Sequence, residues 1–358
     1  GIRETLLGSD KLTWEKSYKT NIGLEMMLWG KLNLTLDYYW ERRKDILIQR
    51  SSLPSMAGFD ASIYANMGEM DNKGVDANLE YQTRIGNKVG LRLFGNLTYS
   101  KNKIVFRDEP AMQYAYQKSE GTRYGEFYGY IAEGYFQSEE EIKKSPRQMR
   151  ELAPGDIKYK DLNDDGVIDA NDQCYLGKSW FPSWSYGMGF NINYHNFDLA
   201  LFFQGVSDVS IMANGGSIDT GNGDWGASGV GIVPFTGMGL NPSNVITKAL
   251  DRWTADNPRA DAWYPRMTAN ATTNDNNYVN STHWLKDGSY LRLKQASLGY
   301  TLENKKLMDK GIEYLYFYLS GQNLLTFSKF KLWDPELGSN GAKYPLSRMV
   351  TLGMRVSF

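Results

Sequence analysis

The segment Leu32-Asn33-Leu34-Thr35-Leu36-Asp37-Tyr38-Tyr39-Trp40-Glu41 sorts its side chains by parity: Leu32, Leu34, Leu36, Tyr38 and Trp40 against Asn33, Thr35, Asp37 and Glu41. Successive side chains of a strand point to opposite faces, so this stretch has one apolar and one wet face. The period recurs at Leu91, Leu93, Leu97 and Tyr99, at Tyr186, Met188, Phe190, Ile192 and Tyr194, and at Val350, Leu352, Met354, Val356 and Phe358. About nine such segments are predicted, near 18–29, 32–49, 73–85, 89–106, 183–195, 197–208, 290–302, 313–327 and 349–358. Most reach the roughly 9–11 residues with which a tilted strand crosses a bilayer. Strands of soluble proteins average about 5–6 residues. Leu291 and Leu293 are out of phase with Leu298, Tyr300 and Leu302, which predicts a β-bulge between them.

The links between segments carry a second signal. Short links at 30–31, 86–88, 195–196 and about 303–312 alternate with long ones at about 51–72, 107–182, 209–289 and 328–348. Short turns on one side and long loops on the other describe an outer-membrane barrel with periplasmic turns and extracellular loops. A soluble all-β protein, the rival, has no reason to sort its loops. The expectation is an all-β, transmembrane antiparallel β-barrel. Nine strands leave two edges unpaired, which lipid does not tolerate, and bacterial single-chain barrels have even strand numbers. The chain is therefore expected to be part of a larger barrel. Its start at Gly1, without a basic and apolar signal region, reads as cut or processed, and Val356-Ser357-Phe358 as a true terminus.

Composition excludes several classes. The 40 Lys+Arg and 41 Asp+Glu nearly cancel, unlike a nucleic-acid binder. Cys174 alone forms no intramolecular disulfide and reads as a buried, idle thiol. Two histidines, His195 and His283, cannot build a multi-His zinc site, and neither has a Ser or Cys partner at a recognisable spacing. Mean hydropathy is −0.50 and no run approaches a membrane-spanning helix, but spanning strands alternate and need none.

Among candidate sites, Asp161-Leu162-Asn163-Asp164-Asp165-Gly166-Val167-Ile168-Asp169-Ala170-Asn171-Asp172 fits a twelve-residue calcium loop. Asp161, Asn163, Asp165, Asp169 and Asp172 place oxygens at positions 1, 3, 5, 9 and 12, Val167 offers a carbonyl, and Gly166 stands at the sharp turn. Asp replaces the usual Glu at position 12, and the alternative is an Asx-rich turn without metal. A Ca2+ ion there would pin a long extracellular loop rather than catalyse. Trp225, Trp253, Trp263 and Trp284 lie in the long loops and are candidate ligand contacts, because aromatic faces pack on sugars or peptide side chains. Loop packing, a lid-protein interface or an aromatic girdle are the alternatives. The glycine-rich run 215–239 lacks the strand–glycine–helix context of a phosphate cradle and reads as loop. Terminal Phe358 on an alternating strand matches the signal read by barrel-assembly machinery, although such a strand ends apolar half the time anyway.

Specific motifs occupy residues 150–358. The run Pro154-Gly155-Asp156-Ile157-Lys158-Tyr159-Lys160-Asp161-Leu162-Asn163-Asp164-Asp165-Gly166 is followed by Asp172, Leu176-Gly177 and Pro182-Ser183-Trp184-Ser185-Tyr186-Gly187. Trp284 through Lys294, Gly321-Gln322-Asn323-Leu324-Leu325 and Trp333-Asp334-Pro335-Glu336 come after them, and Met67 through Gly74 before. In this order they resemble SusC/RagA-type TonB-dependent outer-membrane transporters. The resemblance implies a C-terminal portion of a 22-stranded barrel spanning residues 1–358, with extracellular loops at 107–182 and 209–289. It implies an N-terminal plug and TonB box outside this chain, through which TonB-ExbB-ExbD would act. It further implies a SusD-like surface lipoprotein, the outer membrane of a Gram-negative, Bacteroidetes-like bacterium, and import of oligosaccharides or, alternatively, oligopeptides. The chain is expected not to be an enzyme, with no catalytic residue. A passive porin or adhesin barrel is one rival. A secreted carbohydrate-active enzyme is another, and would need paired carboxylates about 5–5.5 Å or 6.5–9.5 Å apart.

Overall fold

The fold is that of a computed structural model in which residues 12–52, 63–86, 88–214, 246–267, 276–309, 311–341 and 343–358 are described. Four long strands come first: β1 (Lys16–Leu28), β2 (Leu32–Gln49), β3 (Tyr64–Ile85) and β4 (Val89–Phe106). Within the next loop lie β5 (Glu126–Gly129), β6 (Ala132–Tyr135), β7 (Ile157–Tyr159) and β8 (Cys174–Ser179). Then follow β9 (Trp184–Tyr194), β10 (Phe197–Ser207), the short β11 (Ser210–Met212) and β12 (Leu285–Asp287), and finally β13 (Tyr290–Leu302), β14 (Tyr314–Ser328) and β15 (Met349–Ser357).

The nine long strands form one antiparallel sheet in the order β1-β2-β3-β4-β9-β10-β13-β14-β15. Every long strand thus pairs with its neighbour in sequence, the up-and-down order of a barrel wall. The register sorts side chains as the alternation predicts. Leu24, Leu36, Ala77, Leu97, Tyr186, Gly205, Leu291 and Phe327 make one continuous row on one face. On the other face Glu25, Thr35, Asn78, Asn96, Gly187, Gln204, Arg292 and Thr326 form the corresponding row. A one-residue slip at any pairing would send apolar groups into the polar face, so the pattern fixes the register.

Two aromatic rows bound the apolar face. Tyr38, Val75, Tyr99 and Trp184 lie side by side at one end, with the Tyr99 and Trp184 rings 4.4 Å apart. Tyr194, Phe197, Tyr300 and Phe317 lie side by side at the other. Residues 184 and 194 belong to one strand, ten residues apart. At ~3.4 Å per residue and a tilt of roughly 40°, that separation spans ~25 Å, the height of the apolar band of an outer-membrane barrel.

The predicted bulge is present: Leu293 pairs with Leu325, Gln295 with Gln322, and the register shifts between them. β3 departs from expectation by beginning at Tyr64 instead of 73, which shortens the loop before it. The early part of β3 is illegible as a period because two register shifts in β2 (between Arg43 and Ile46, and between Ile46 and Leu47) and one between Glu69 and Met70 reset its parity.

Among the described residues β1 and β15 each pair on one side only, so the sheet is an arc and not a closed barrel. Almost none of its side chains are enclosed. The core lies instead in the long loops, which fold together beyond the end of the sheet marked by Trp184. There Phe127, Tyr135, Ile157, Tyr159, Ile168, Ile211, Met212, Trp253, Tyr264, Trp284 and Phe330 form one buried cluster. Among the described residues no helix is long and apolar enough to cross a membrane.

Candidate functional site

The polar face of the sheet and the loop cluster above it form the candidate site. β5 pairs with β8, β6 with β7, and β11 with β12, so two loops distant in sequence are laced into one unit. The lacing continues outside strands: Asn280 O accepts from Tyr130 N at 2.9 Å, and Tyr130 O accepts from Thr282 N at 3.0 Å. Gly155 shows why its position needs glycine. Its φ is +92°, and a Cβ there would stand 2.2 Å from the Trp253 ring.

Three buried polar knots hold the unit. Asp156, wholly buried, takes Arg266 at 2.6 Å and 2.9 Å, the Asn277 amide at 2.7 Å and Ala153 N at 2.8 Å. Gln148 donates to Ile157 O and to Asn276 Oδ1, each at 2.9 Å, and accepts from Tyr159 N at 2.8 Å. Arg292, on the polar face of β13 and 2% exposed, donates to both oxygens of Asp334 at 2.6 and 2.8 Å and lies 3.4 Å from Glu336. Glu336 also accepts from the Tyr290 hydroxyl at 2.8 Å. Two motifs flagged separately in the sequence therefore meet as one ion pair at the roof of the polar face, with both Asp334 oxygens on Arg292 Nη2. Pairing is what makes a buried guanidinium tolerable.

Beside this pair is a pocket of about 430 Å³ lined by Trp180, Phe181, Val206, Ile211, Tyr290 and Glu336, among others. An apolar, aromatic wall with a carboxylate at its edge is the composition of a small-ligand pocket. No single sequence motif announced it, because its walls come from four separated segments.

The predicted ligand tryptophans are placed differently. Trp284 is completely buried, with Tyr264, Trp263, His283 and Tyr278 against its ring and its Nε1 donating to Asn277 O at 2.7 Å. Trp253 is also buried, under Gly155. These two are corrected from ligand contacts to core residues: a side chain enclosed by its own loops presents no ring face. Trp263 is half-buried with the Lys286 ammonium 5.1 Å from its ring centre, and Trp225 lies outside the described residues.

The acidic loop is curled around its own side chains. Asp161 accepts from Asp164 N and Gly166 N at 2.7 and 2.8 Å, Asn163 from Asp165 N at 3.2 Å, and Asp165 from Val167 N at 2.9 Å. Asp169 accepts from Asn171 N at 2.7 Å, and buried Asp172 from Leu162 N and Asp169 N at 2.7 and 2.9 Å. Gly166 has φ +81°, as the turn requires. Among the described residues no three Asp, Glu, His or Cys are gathered tightly enough to hold a metal as they stand. Each carboxylate retains lone pairs after these bonds, so the donor set fits a hard cation even though the hydrogen bonds already hold the turn.

His283 is buried against Tyr135 and Trp284, and its Nε2 lies 3.2 Å from Trp263 O. Burial, with Lys286 nearby, pulls its pKa down to about 3. Lys286 is likewise lowered by burial to about 8. Cys174 is buried and burial pushes its thiol up, away from the reactive thiolate. His195 sits in the β9–β10 turn at φ 50°. Phe358 follows β15 and is 85% exposed.

Comparison with known proteins is consistent with this architecture. The family "TonB dependent receptor-like, beta-barrel" matches residues 3–324. TonB-dependent receptor P3 of Formosa agariphila is 28% identical over all of this chain and 36% of its own length. TonB-dependent receptor SusC of Bacteroides thetaiotaomicron is 23% identical over 98% of the chain and 32% of its own length. Among solved structures, the RagAB peptide importer in its "open-open" state superposes with a TM-score of 0.73 at 24% identity, over 99% of this chain and 36% of that one. The chain thus spans about a third of the length of the curated relatives it matches. It belongs to the TonB-dependent receptor β-barrel family, as a stretch of the barrel wall with its loops.

Proposed function

We propose, with membership of the TonB-dependent receptor β-barrel family as the premise, that this chain is wall and extracellular roof of a SusC/RagA-type importer in a Gram-negative, Bacteroidetes-like outer membrane. One observation carries the reading. A sheet with a continuous apolar face, aromatic rows ~25 Å apart and a polar reverse face is built for lipid on one side and an aqueous lumen on the other. The remainder of the barrel, a plug and a TonB box lie in the rest of the protein on this reading. A SusD-like lipoprotein delivers ligand to the roof, and TonB-ExbB-ExbD drives its release inward.

The ligand we assign is an oligosaccharide. The lumen face is dominated by uncharged amides and hydroxyls, including Asn78, Asn96, Asn191, Gln204, Ser297 and Ser320, which suit sugar hydroxyls. An oligopeptide is the second reading, favoured by the apolar roof pocket beside Trp180 and by the peptide-importer description of the RagAB structures. Deleting the full-length gene and measuring uptake of labelled neutral oligosaccharides and of labelled oligopeptides separates them. Loss of peptide uptake alone overturns the glycan assignment, and loss of neither overturns import.

We further propose a structural Ca2+ held by Asp161, Asn163, Asp165, Asp169 and Asp172 with the Val167 carbonyl. The support is the oxygen-only donor set and the turn at Gly166. Calorimetric titration of the chelator-treated protein with Ca2+ is expected to show one site that Asp165→Ala abolishes; no heat would remove the ion from the proposal. Phe358 is assigned to recognition by barrel-assembly machinery, so Phe358→Ala is expected to lower the amount of assembled protein in the outer membrane without altering the stability of what is assembled.

A further inference from the structure

The apolar face of the sheet ends, at β14, on Leu325 and Phe327, both half-exposed. Lys329 continues their alternation one step beyond Phe327 and is 88% exposed. It therefore stands level with the aromatic row of Trp184 and Tyr99, where the outer-leaflet headgroups lie if the sheet spans the membrane. At this height the loops form a cleft of about 640 Å³, lined by Lys248, Lys286, Lys329 and Lys331 around Trp263, Phe330 and Leu250.

The four ammonium groups are incompletely neutralised. Lys248 pairs with Asp251 at 2.7 Å, and Asp251 is shared with Arg259. Lys329 lies 3.8 Å from Asp287, the other carboxylate of the cleft. Lys286 and Lys331 pair with no carboxylate among the described residues. Lys286 donates to His283 O at 2.6 Å and lies over the Trp263 ring, so its charge is held in a largely desolvated wall with only a carbonyl and a π-face to balance it. Leu250 is 76% exposed at the same cleft, an apolar side chain beside a row of cations.

We propose that this cleft binds the phosphate group of an outer-leaflet glycolipid, with the lysines on the phosphate and Leu250 and Phe327 against the acyl chains. A phosphate supplies the charge that Lys286 and Lys331 lack, and long lysine stems reach headgroup level from an apolar band without exposing it. Lipid is favoured over a soluble anion because the cleft abuts the apolar face of the sheet. The inference rests on the outer-membrane reading above.

The test uses the full-length protein purified from outer membranes in mild detergent, with native mass spectrometry of retained lipid. Location is scored first by membrane fractionation; absence from the outer membrane refutes the outer-membrane reading itself. Given correct location, bisphosphorylated lipid A is expected to be retained at least ten-fold more than dephosphorylated lipid A. Lys329→Glu with Lys331→Glu, both on exposed side chains, is expected to remove that preference, whereas Lys101→Glu on the same face outside the cleft preserves it. Inorganic phosphate at millimolar concentration is expected to compete weakly; full displacement by it identifies a free-anion site and overturns the lipid assignment. Equal retention of the two lipids, or unchanged retention by the double variant, also overturns it. So does a double variant that keeps the lipid but loses a co-purifying surface lipoprotein, which reassigns the cleft to a protein partner.

Discussion

Trp284 illustrates how one residue serves the roof. Its indole is enclosed by four aromatic neighbours and its N–H is spent on Asn277 O. Trp284→Ala is expected to destabilise the loop unit by ~3–5 kcal/mol through the cavity it leaves. Tryptic digestion of the assembled protein checks this, with cleavage gained in 107–289 and the strands still protected. The Arg292 knot gives a second expectation. Asp334→Ala leaves a buried guanidinium without its nearest carboxylate, which costs ~3–5 kcal/mol. Thermal melting of the variant against Asp334→Glu, which keeps the charge, measures it. His283 sets a pH dependence. Its folded pKa lies near 3 against 6.5 when unfolded, so between those values the unfolded chain binds more protons. Stability from this group is complete above about pH 6.5 and is lost as pH falls toward 3, by up to ~1.4 kcal/mol per pH unit. His283→Phe, which titrates nothing, is expected to flatten the melting temperature between pH 4 and 6.

At the scale of elements, the strands owe their faces to the alternation alone, and the faces respond differently to the same change. Leu201 pairs with Phe190 on the apolar face about midway between the aromatic rows, and its neighbour Ala200 points to the polar side among Asn191 and Ser297. Leu201→Arg is expected to cost ~2–4 kcal/mol, the penalty for a cation at the bilayer midplane, and Ala200→Arg far less. Denaturant titration in lipid vesicles compares the two; equal costs would mean that the faces are assigned the wrong way round. The sequence showed all nine long strands, because each carries several periods of uninterrupted parity. It hid the first third of β3, where the shifts at Arg43–Leu47 and at Glu69–Met70 interrupt the period.

For residues 1–358 taken together, the consequence of nine long strands among the described residues is an open arc. β1 and β15 each leave one row of backbone donors and acceptors unpaired, and lipid provides no substitute for water there. Residues 1–358 expressed by themselves are expected to give no defined single-channel conductance in planar bilayers. A stable unitary conductance would show that the segment closes on itself or on copies of itself. The loop unit has a core of its own, with Ile157, Tyr159, Met212 and Trp284 as enclosed as any soluble interior. Its folding and that of the sheet are thus driven by different solvents, water for the roof and lipid for the wall.

The alternation by itself determined the long strands, the identity of the two faces and which links are long, because side-chain direction in a strand depends only on parity; the register shifts in β2 and β3 escaped it. The acidic turn was legible from its own local pattern, since Asx side chains bond backbone within a few residues. Which tryptophans are enclosed, which charges meet and where the cationic cleft opens were decided only by tertiary structure. Trp284, Arg292 with Asp334, and Lys286 with Lys331 acquire their neighbours from chain segments many residues away. Burial and charge pairing are properties of proximity in space, which no local period records.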